Sequence, residues 1–168
     1  MKKSIILLSA LTMTLASFNT IRPEKSILKA DAAAERMANA VVAAFQHRSL
    51  SEYAALFPSV AAFHEIMEKN SAFYGPNLED AKEDFEMHFT VEVLPALNQS
   101  FKSVIAQGIK AGIDWSTIKF MAVEFDDESS GTPATIAFSS NGKKYNLHFE
   151  KTLWMDGEWK VSQYLSLI

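Results

Sequence analysis

A chain of 168 residues, 48% hydrophobic and 21% charged, has enough apolar side chain for one packed domain and is neither a disordered tract nor a membrane-saturated sequence. Its formal charge of -4 comes without any Lys/Arg cluster that would track a phosphate backbone, which argues against a nucleic-acid partner. The lack of cysteine removes disulfides, thiol catalysis and thiolate metal sites, so a packed core must hold the fold.

The opening residues read as an address. Lys2 and Lys3 precede an apolar run from Ile5 to Leu15, a length that suits the hydrophobic region of a signal peptide and falls short of a membrane span. Thr14 and Ala16 supply the small residues needed for cleavage after Ala16, and cleavage a few residues later fits as well. Residues 1–16 are therefore expected to be removed and the chain to be periplasmic or secreted. Leu15-Ala16-Ser17 starts like a lipoprotein box, but Phe18 stands where the lipidated cysteine is required, so neither a lipid anchor nor a membrane span is expected. Residues 17–30 form a polar lead segment, and residues 31–168 a single domain.

The first helix is expected from Asp31, a good N-cap, with Met37, Ala40, Val41, Ala44 and Phe45 at the spacing of one buried face. Ser49 and Glu52 have the form of a capping box before a short helix to Leu56, and Pro58 resets the direction. A helix from about Ser59 to Asn70 places Phe63, Ile66 and Met67 on one side and stops in the turn-rich Tyr74-Gly75-Pro76-Asn77, where Asn77 with Asp80 caps the next helix. From Leu78 a stripe of Ala81, Phe85 and Phe89 runs to Pro95, and Leu97, Phe101, Val104, Ile105 and Ile109 resume it. Pro95 predicts either one kinked helix or two, ending at Gly108 and Gly112.

Beyond Gly112 the period falls to two. Ile118 and Phe120 alternate with Lys119 and Met121, so both faces of the first strand are partly apolar. Ala134, Ile136 and Phe138 follow an acidic loop. Asn141-Gly142 and Asp156-Gly157 each signal a type I′ hairpin, with Tyr145, Leu147, Phe149 and Leu153 alternating on one strand and Trp159, Val161, Leu165 and Leu167 on the next. On this alternation Trp159 is core, and Trp154 points the other way as an outward ring. Helices first and strands afterwards predict an α+β fold, with N-terminal helices packed on one face of a curved four-stranded antiparallel meander.

Few residues point to chemistry. His88 and Glu92 stand one helical turn apart, and Glu92 lies seven residues from Phe85 on the expected buried stripe, where a carboxylate could act as general base or join a metal site; the plainer account is that a slight rotation of the helix turns both to water, or that the two form a structural hydrogen bond. The stretch His64-Glu65-Ile66-Met67-Glu68 opens like a zinc-protease motif but has Glu68 where the second histidine belongs, so a solvated His64–Glu68 pair is the plainer account. His64, His88 and Glu92 would make a metal site only if their helices face each other. No nucleophile elbow, phosphate loop, dinucleotide fingerprint or calcium loop is present, and no cofactor is expected. The 12 Phe are mainly core. An alternative use is an apolar pocket lined by Tyr53, Phe85, Phe89, Phe120 and Tyr145, with His88 and Glu92 as its polar groups.

The stretch KKYNLHFEKTLWMDGEWKVSQYLSL, residues 143–167, resembles the terminal hairpin of the nuclear-transport-factor-two-like, or cystatin-like, superfamily, whose long strands often meet at a Trp-x-Asp-Gly-x-Trp-Lys-Val turn. The stretch AVVAAFQHRSLSEYAALFPS, Ala40 to Ser59, looks like that superfamily's opening helix pair. The resemblance implies a curved sheet wrapped by helices around a cone-shaped cavity. Such domains include steroid isomerases, dehydratases, small-ligand binders and catalytically inert accessory domains. An isomerase-type site would cast Glu92 as the pocket carboxylate and Tyr53 as the donor. These domains often dimerise through the outer sheet face, where Ile118 and Phe120 would lie. The expectation is an exported domain that binds a small apolar or amphipathic ligand or a protein partner, the alternatives being a cavity enzyme using Glu92 and His88 and a metal-binding protein.

Overall fold

The computed structural model describes residues 27–126, 131–162 and 165–168. The expected signal segment 1–16 and residues 17–26 lie outside the described residues. Helix α1 (Ile27–Gln46) begins before Asp31 and takes in the last four residues of the expected lead segment. Met37, Val41, Ala44 and Phe45 are buried as their spacing predicts. Ala38 and Val42 are buried beside them, because α1 is covered by strands on one side and by the next helix on the other.

α1 ends in a Schellman motif. Arg48 takes the left-handed conformation with φ 52°, its N–H donates to the Phe45 carbonyl at 3.1 Å, and the Ser49 N–H donates to the Ala44 carbonyl at 2.9 Å. That engagement of Ser49 changes the expected capping box. The Ser49 hydroxyl accepts from the Glu52 N–H at 3.2 Å and caps helix α2 (Leu50–Ala54), but the Glu52 carboxylate turns away to His47 Nδ1 at 2.8 Å.

Helix α3 (Val60–Lys69) is capped by Ser59, whose hydroxyl accepts the Ala62 N–H at 3.1 Å. The chain does not stop at Tyr74. Helix α4 (Ser71–Tyr74) and a 3₁₀ turn (Gly75–Asn77) lead straight into helix α5 (Leu78–His88), and the Asn77 side chain makes no capping bond because the turn already feeds the helix.

Pro95 does not divide the long helix. α5 continues through a π turn (Phe89–Val93) into helix α6 (Leu94–Lys110), with the Leu94 N–H donating to the Phe89 carbonyl five residues back. A proline ring crowds the carbonyl four residues earlier and offers no N–H, so the wide turn sits where the ring needs room. The extra residue also resets the helical phase. Phe85 and Leu97 would lie about 120° apart on a regular helix, and absorbing one residue brings them to within about 20°. Glu92, seven residues from Phe85, loses its place on the buried stripe by the same step and is exposed.

Strands β1 (Lys119–Phe125), β2 (Ala134–Ser140), β3 (Lys143–Phe149) and β6 (Leu165–Leu167) form a four-stranded antiparallel sheet in the order β1-β2-β3-β6. β4 (Thr152–Met155) pairs with β5 (Glu158–Val161) in a separate two-stranded sheet. With the helices on the amino-terminal side and these sheets on the carboxy-terminal side, the fold is α+β. Both type I′ signals are met: Asn141 and Gly142 have φ of 52° and 76°, Asp156 and Gly157 of 50° and 80°.

Two slips in register escape a simple alternation. Met121 bulges from β1 between Phe120 and Ala122, so Ile118 and Phe120 face the core before it and Val123 and Phe125 after it. Ile118 is fully buried and cannot contribute to an outer dimer face, contrary to expectation. The second slip separates β3 from β4. The Thr152 N–H donates to the Thr132 carbonyl at 2.8 Å, its hydroxyl donates to the same oxygen at 2.9 Å, and its own carbonyl accepts the Gly131 N–H at 2.7 Å. Leu147 and Phe149 are buried on β3, Thr152 and Leu153 are both buried on β4 as Leu153 was expected to be, and Trp154 is half-buried against the core on the face of Thr152. Trp154 therefore shares a face with its cross-strand partner Trp159, instead of pointing away from it.

The central core gathers around Trp115, in a 3₁₀ turn (Trp115–Thr117). Its buried ring lies 5.1 Å from Phe45 and 5.7 Å from Phe138, and its Nε1–H donates to the Ile105 carbonyl at 3.1 Å. Gly108 makes room for it. A Cβ there would stand 2.7 Å from Trp115 Cε2 and 2.9 Å from Nε1, so this glycine is a seat for the indole, buried within α6, and not the end of the helix. The core cluster draws on α1, α2, α6 and the strands, and contains no residue between Phe57 and Leu97. Residues 60–93 form a helical arm that packs on itself through Phe63, Phe85 and Phe89, with Phe63 4.6 Å and Phe89 5.9 Å from Phe85.

Candidate functional site

The expected pocket residues do not converge. Tyr53 lies in the central core against Phe45, Phe57 and Phe101, and burial pushes its phenol well above its ordinary pKa. A phenol held so deeply stays protonated among other rings and cannot serve the arm. Phe85 and Phe89 belong to the arm. Phe120 packs from β1 onto the central core, and Tyr145 stacks on Phe138 while its hydroxyl donates to the Ala111 carbonyl at 3.4 Å. Tyr53 is thus in a different packing unit from Glu92, the carboxylate it was expected to serve.

His88 and Glu92 do meet. Their Nδ1 and Oε2 are 3.2 Å apart across the π turn, with the Glu92 side chain 69% exposed and that of His88 22%. The expectation that Glu92 lies on the buried stripe fails, for the reason of phase given above, and the carboxylate keeps its water. His64 departs from expectation in the opposite sense. It faces inward, its ring 6.5 Å from that of Phe85, and its Nε2 is buried without a hydrogen-bond partner. Glu68, expected to pair with His64, instead accepts from Lys82 at 2.8 Å. That hydrogen bond and the ammonium charge hold the Glu68 carboxyl below its ordinary range, while bonds from Lys82 to Glu68 and Glu79 raise the lysine. The metal reading through His64, His88 and Glu92 finds no cluster: among the described residues no three His, Asp or Glu side chains are placed to hold a metal ion. His148 shares its Nδ1 with the Thr135 hydroxyl at 3.1 Å on the outer sheet face.

What the arm does present is apolar. Met87 and Val91, one turn apart, are 61% and 66% exposed, and Leu94 and Pro95 are exposed in the next turn. They lie across the helix from Phe85 and Phe89, which already fill the inner face. Large apolar side chains left on the outside of a helix packed on its other side mark a contact surface more often than scattered exposure does. The spacing of Met87, Val91 and Leu94 carries this face in the sequence, opposite the stripe through Phe85.

A second feature lies at the small sheet. Trp159, 4% exposed, packs 4.4 Å from Phe125 and 5.4 Å from Trp154, and its Nε1 is buried without a partner. A buried indole N–H without an acceptor is a cost of about 1–3 kcal/mol.

Protein-family models, curated proteins and solved structures offer no match to this chain. Among the described residues, no helix is long and apolar enough to cross a membrane. The candidate site therefore rests on geometry alone, and its parts are the outer face of α5–α6 and the ring cluster around Trp159.

Proposed function

We propose that this chain is an exported binding domain that holds a protein partner on the outer face of its helical arm. The observation that carries the reading is the exposure of Met87 and Val91 on a helix whose inner face is already packed. Export is supported by the Lys2-Lys3 start and the apolar run to Leu15. Kinship with the cystatin-like superfamily is supported by the opening helix pair and the terminal hairpin with its paired tryptophans. The arm of residues 60–93 stands in addition to that plan.

Cross-linking in the exported fraction of cells that make the protein tests the reading, with Val91→Asp as comparator. A cross-linked species should form with the wild type and fade with the variant. Equal yields, or no species at all, would sink it. A second reading, an amphipathic small ligand, is favoured by the orphan indole N–H of Trp159 among Phe125 and Trp154. A carbonyl-bearing ligand there should change tryptophan emission on titration, and the change should vanish in Trp159→Phe.

A further inference from the structure

We propose that the element held by the arm is a basic amphipathic helix of another protein, which rests on the partner-binding reading and names the partner's chemistry. Residues 60–93 hold two lysines and eight Asp or Glu, a formal 2 - 8 = -6, whereas the whole chain carries -4, or -4 - 2 = -6 once Lys2 and Lys3 leave with the expected signal segment, so the rest of the exported chain sums to -6 - (-6) = 0. The negative charge of this protein is therefore concentrated in the arm.

It is also concentrated around the apolar patch. Glu83 and Asp84 lie one turn before Met87, and Glu86 and Glu92 flank the patch, all four exposed. Lys82, the only lysine on α5, does not offset them. Its ammonium is held between Glu68 and Glu79, at 2.8 and 3.0 Å, on the side facing α3.

An apolar strip bordered by carboxylates selects its occupant in two ways. Burial of Met87 and Val91 asks for apolar side chains opposite them, and the rim asks for Lys or Arg around those side chains. An acidic partner, or an anionic lipid surface, would be repelled by the same rim. The patch from Met87 to Pro95 runs straight along the helix for about 12 Å, the reach of apolar side chains at i, i+4 and i+7 on a partner helix. A helix laid along it would leave its basic residues beside the carboxylates, still partly in water, so the charges would guide encounter and register while the apolar contact supplies most of the affinity.

Fluorescence anisotropy with two labelled model peptides of one amphipathic pattern, Leu/Lys and Leu/Glu, tests this on the full chain. The Leu/Lys peptide should bind at least about tenfold tighter than Leu/Glu. Met87→Ser/Val91→Ser should weaken it roughly tenfold through lost apolar burial. Glu83→Gln/Asp84→Asn should weaken it less and flatten its dependence on salt. All four side chains are exposed, so the variants should keep the wild-type circular dichroism spectrum, which checks that binding and not folding is read. Equal binding of the two peptides overturns the charge inference while leaving a partner-binding arm standing. Equal binding to wild type and Met87→Ser/Val91→Ser overturns the placement on this patch. Failure of both peptides to bind overturns the inference by itself, the wider reading being decided by the Val91→Asp cross-linking.

Discussion

The central body and the helical arm are built from similar residues by different means. In the body, rings are locked by backbone bonds as well as by packing: Trp115 donates to the Ile105 carbonyl, the Gln46 side chain donates to the Ile118 carbonyl at 2.7 Å, and Thr152 is fixed three times to the 131–132 segment. The arm has the rings around Phe85, a separate Phe73–Tyr74 pair and one lysine between two carboxylates, and its His64 nitrogen is buried without a partner, as the Trp159 nitrogen is in the body. The contrast assigns the fold to the body and leaves the arm at the low-stability end of the molecule, where surfaces used for recognition are commonly drawn from.

The largest expected effect breaks the body. Gly108→Ala would improve helix propensity by about 1 kcal/mol, but its Cβ would overlap an indole held on both sides, at a larger cost, so a net loss of roughly 2–3 kcal/mol is expected. Chemical denaturation should show a lower midpoint, together with a weakened near-UV tryptophan signal. A midpoint at or above wild type would mean that Trp115 can move.

Phe85→Ala should instead sharpen the boundary. Removing the ring shared by Phe63 and Phe89 leaves a cavity that should destabilise the arm locally. Hydrogen exchange should then accelerate across residues 60–93 while α1, β2 and β3 keep their protection. Uniform acceleration throughout the chain would show that arm and body unfold as one unit.

A smaller effect of opposite sign belongs to the body. Arg48 occupies a left-handed position that glycine fills without strain, so Arg48→Gly should stabilise by about 0.5–1 kcal/mol, less whatever Arg48 gains near Asp114. The thermal midpoint would rise by a few degrees; a fall would show that the charge attraction to Asp114 outweighs the strain.

The smallest effect compares two carboxylates. Glu68, in the arm, is lowered by its hydrogen bond to Lys82 and by the ammonium charge, and Asp114, in the body, mainly by the Ser116 hydroxyl and N–H. Because both are lowered on folding, each adds stability that is complete above its unfolded pKa and is lost as pH falls through the folded value. Carboxyl carbon shifts followed by NMR should show Glu68 moving back towards its ordinary value in high salt while Asp114 stays. Equal responses would contradict the assignment of charge to one and neutral donors to the other.

Much of this architecture was written in short-range signals. Asn141-Gly142 and Asp156-Gly157 demanded positive φ, the run from Met37 to Phe45 demanded a buried helical face, and a period change after Gly112 separated helices from strands. The features missed share one cause: a single residue gained or lost against a regular period. The bulge at Met121, the slip between Phe149 and Thr152, and the π turn at Phe89–Val93 each move every later side chain to another face, and local composition does not mark them. The first hid the common inward face of Ile118 and Val123, the second the pairing of Trp154 with Trp159, and the third the exposure of Glu92. Gly108 was visible as a glycine, but its purpose depends on Trp115, which a helix-by-helix reading does not bring near it.

The π turn has a further consequence in the vocabulary of insertion and deletion. Counted along the helix axis, it is one surplus residue, and where α5 passes into α6 that residue sets the phase of the arm's ring cluster relative to the body's core. Shortening the segment by one would turn α5 about 100° around the helix axis relative to α6, and the Phe57–Ser59 link between α2 and α3 would have to follow. Orientation and packing are thus partly separable in this chain, and a lineage could re-aim its recognition surface by changing its length at this turn, with that link adjusting to it.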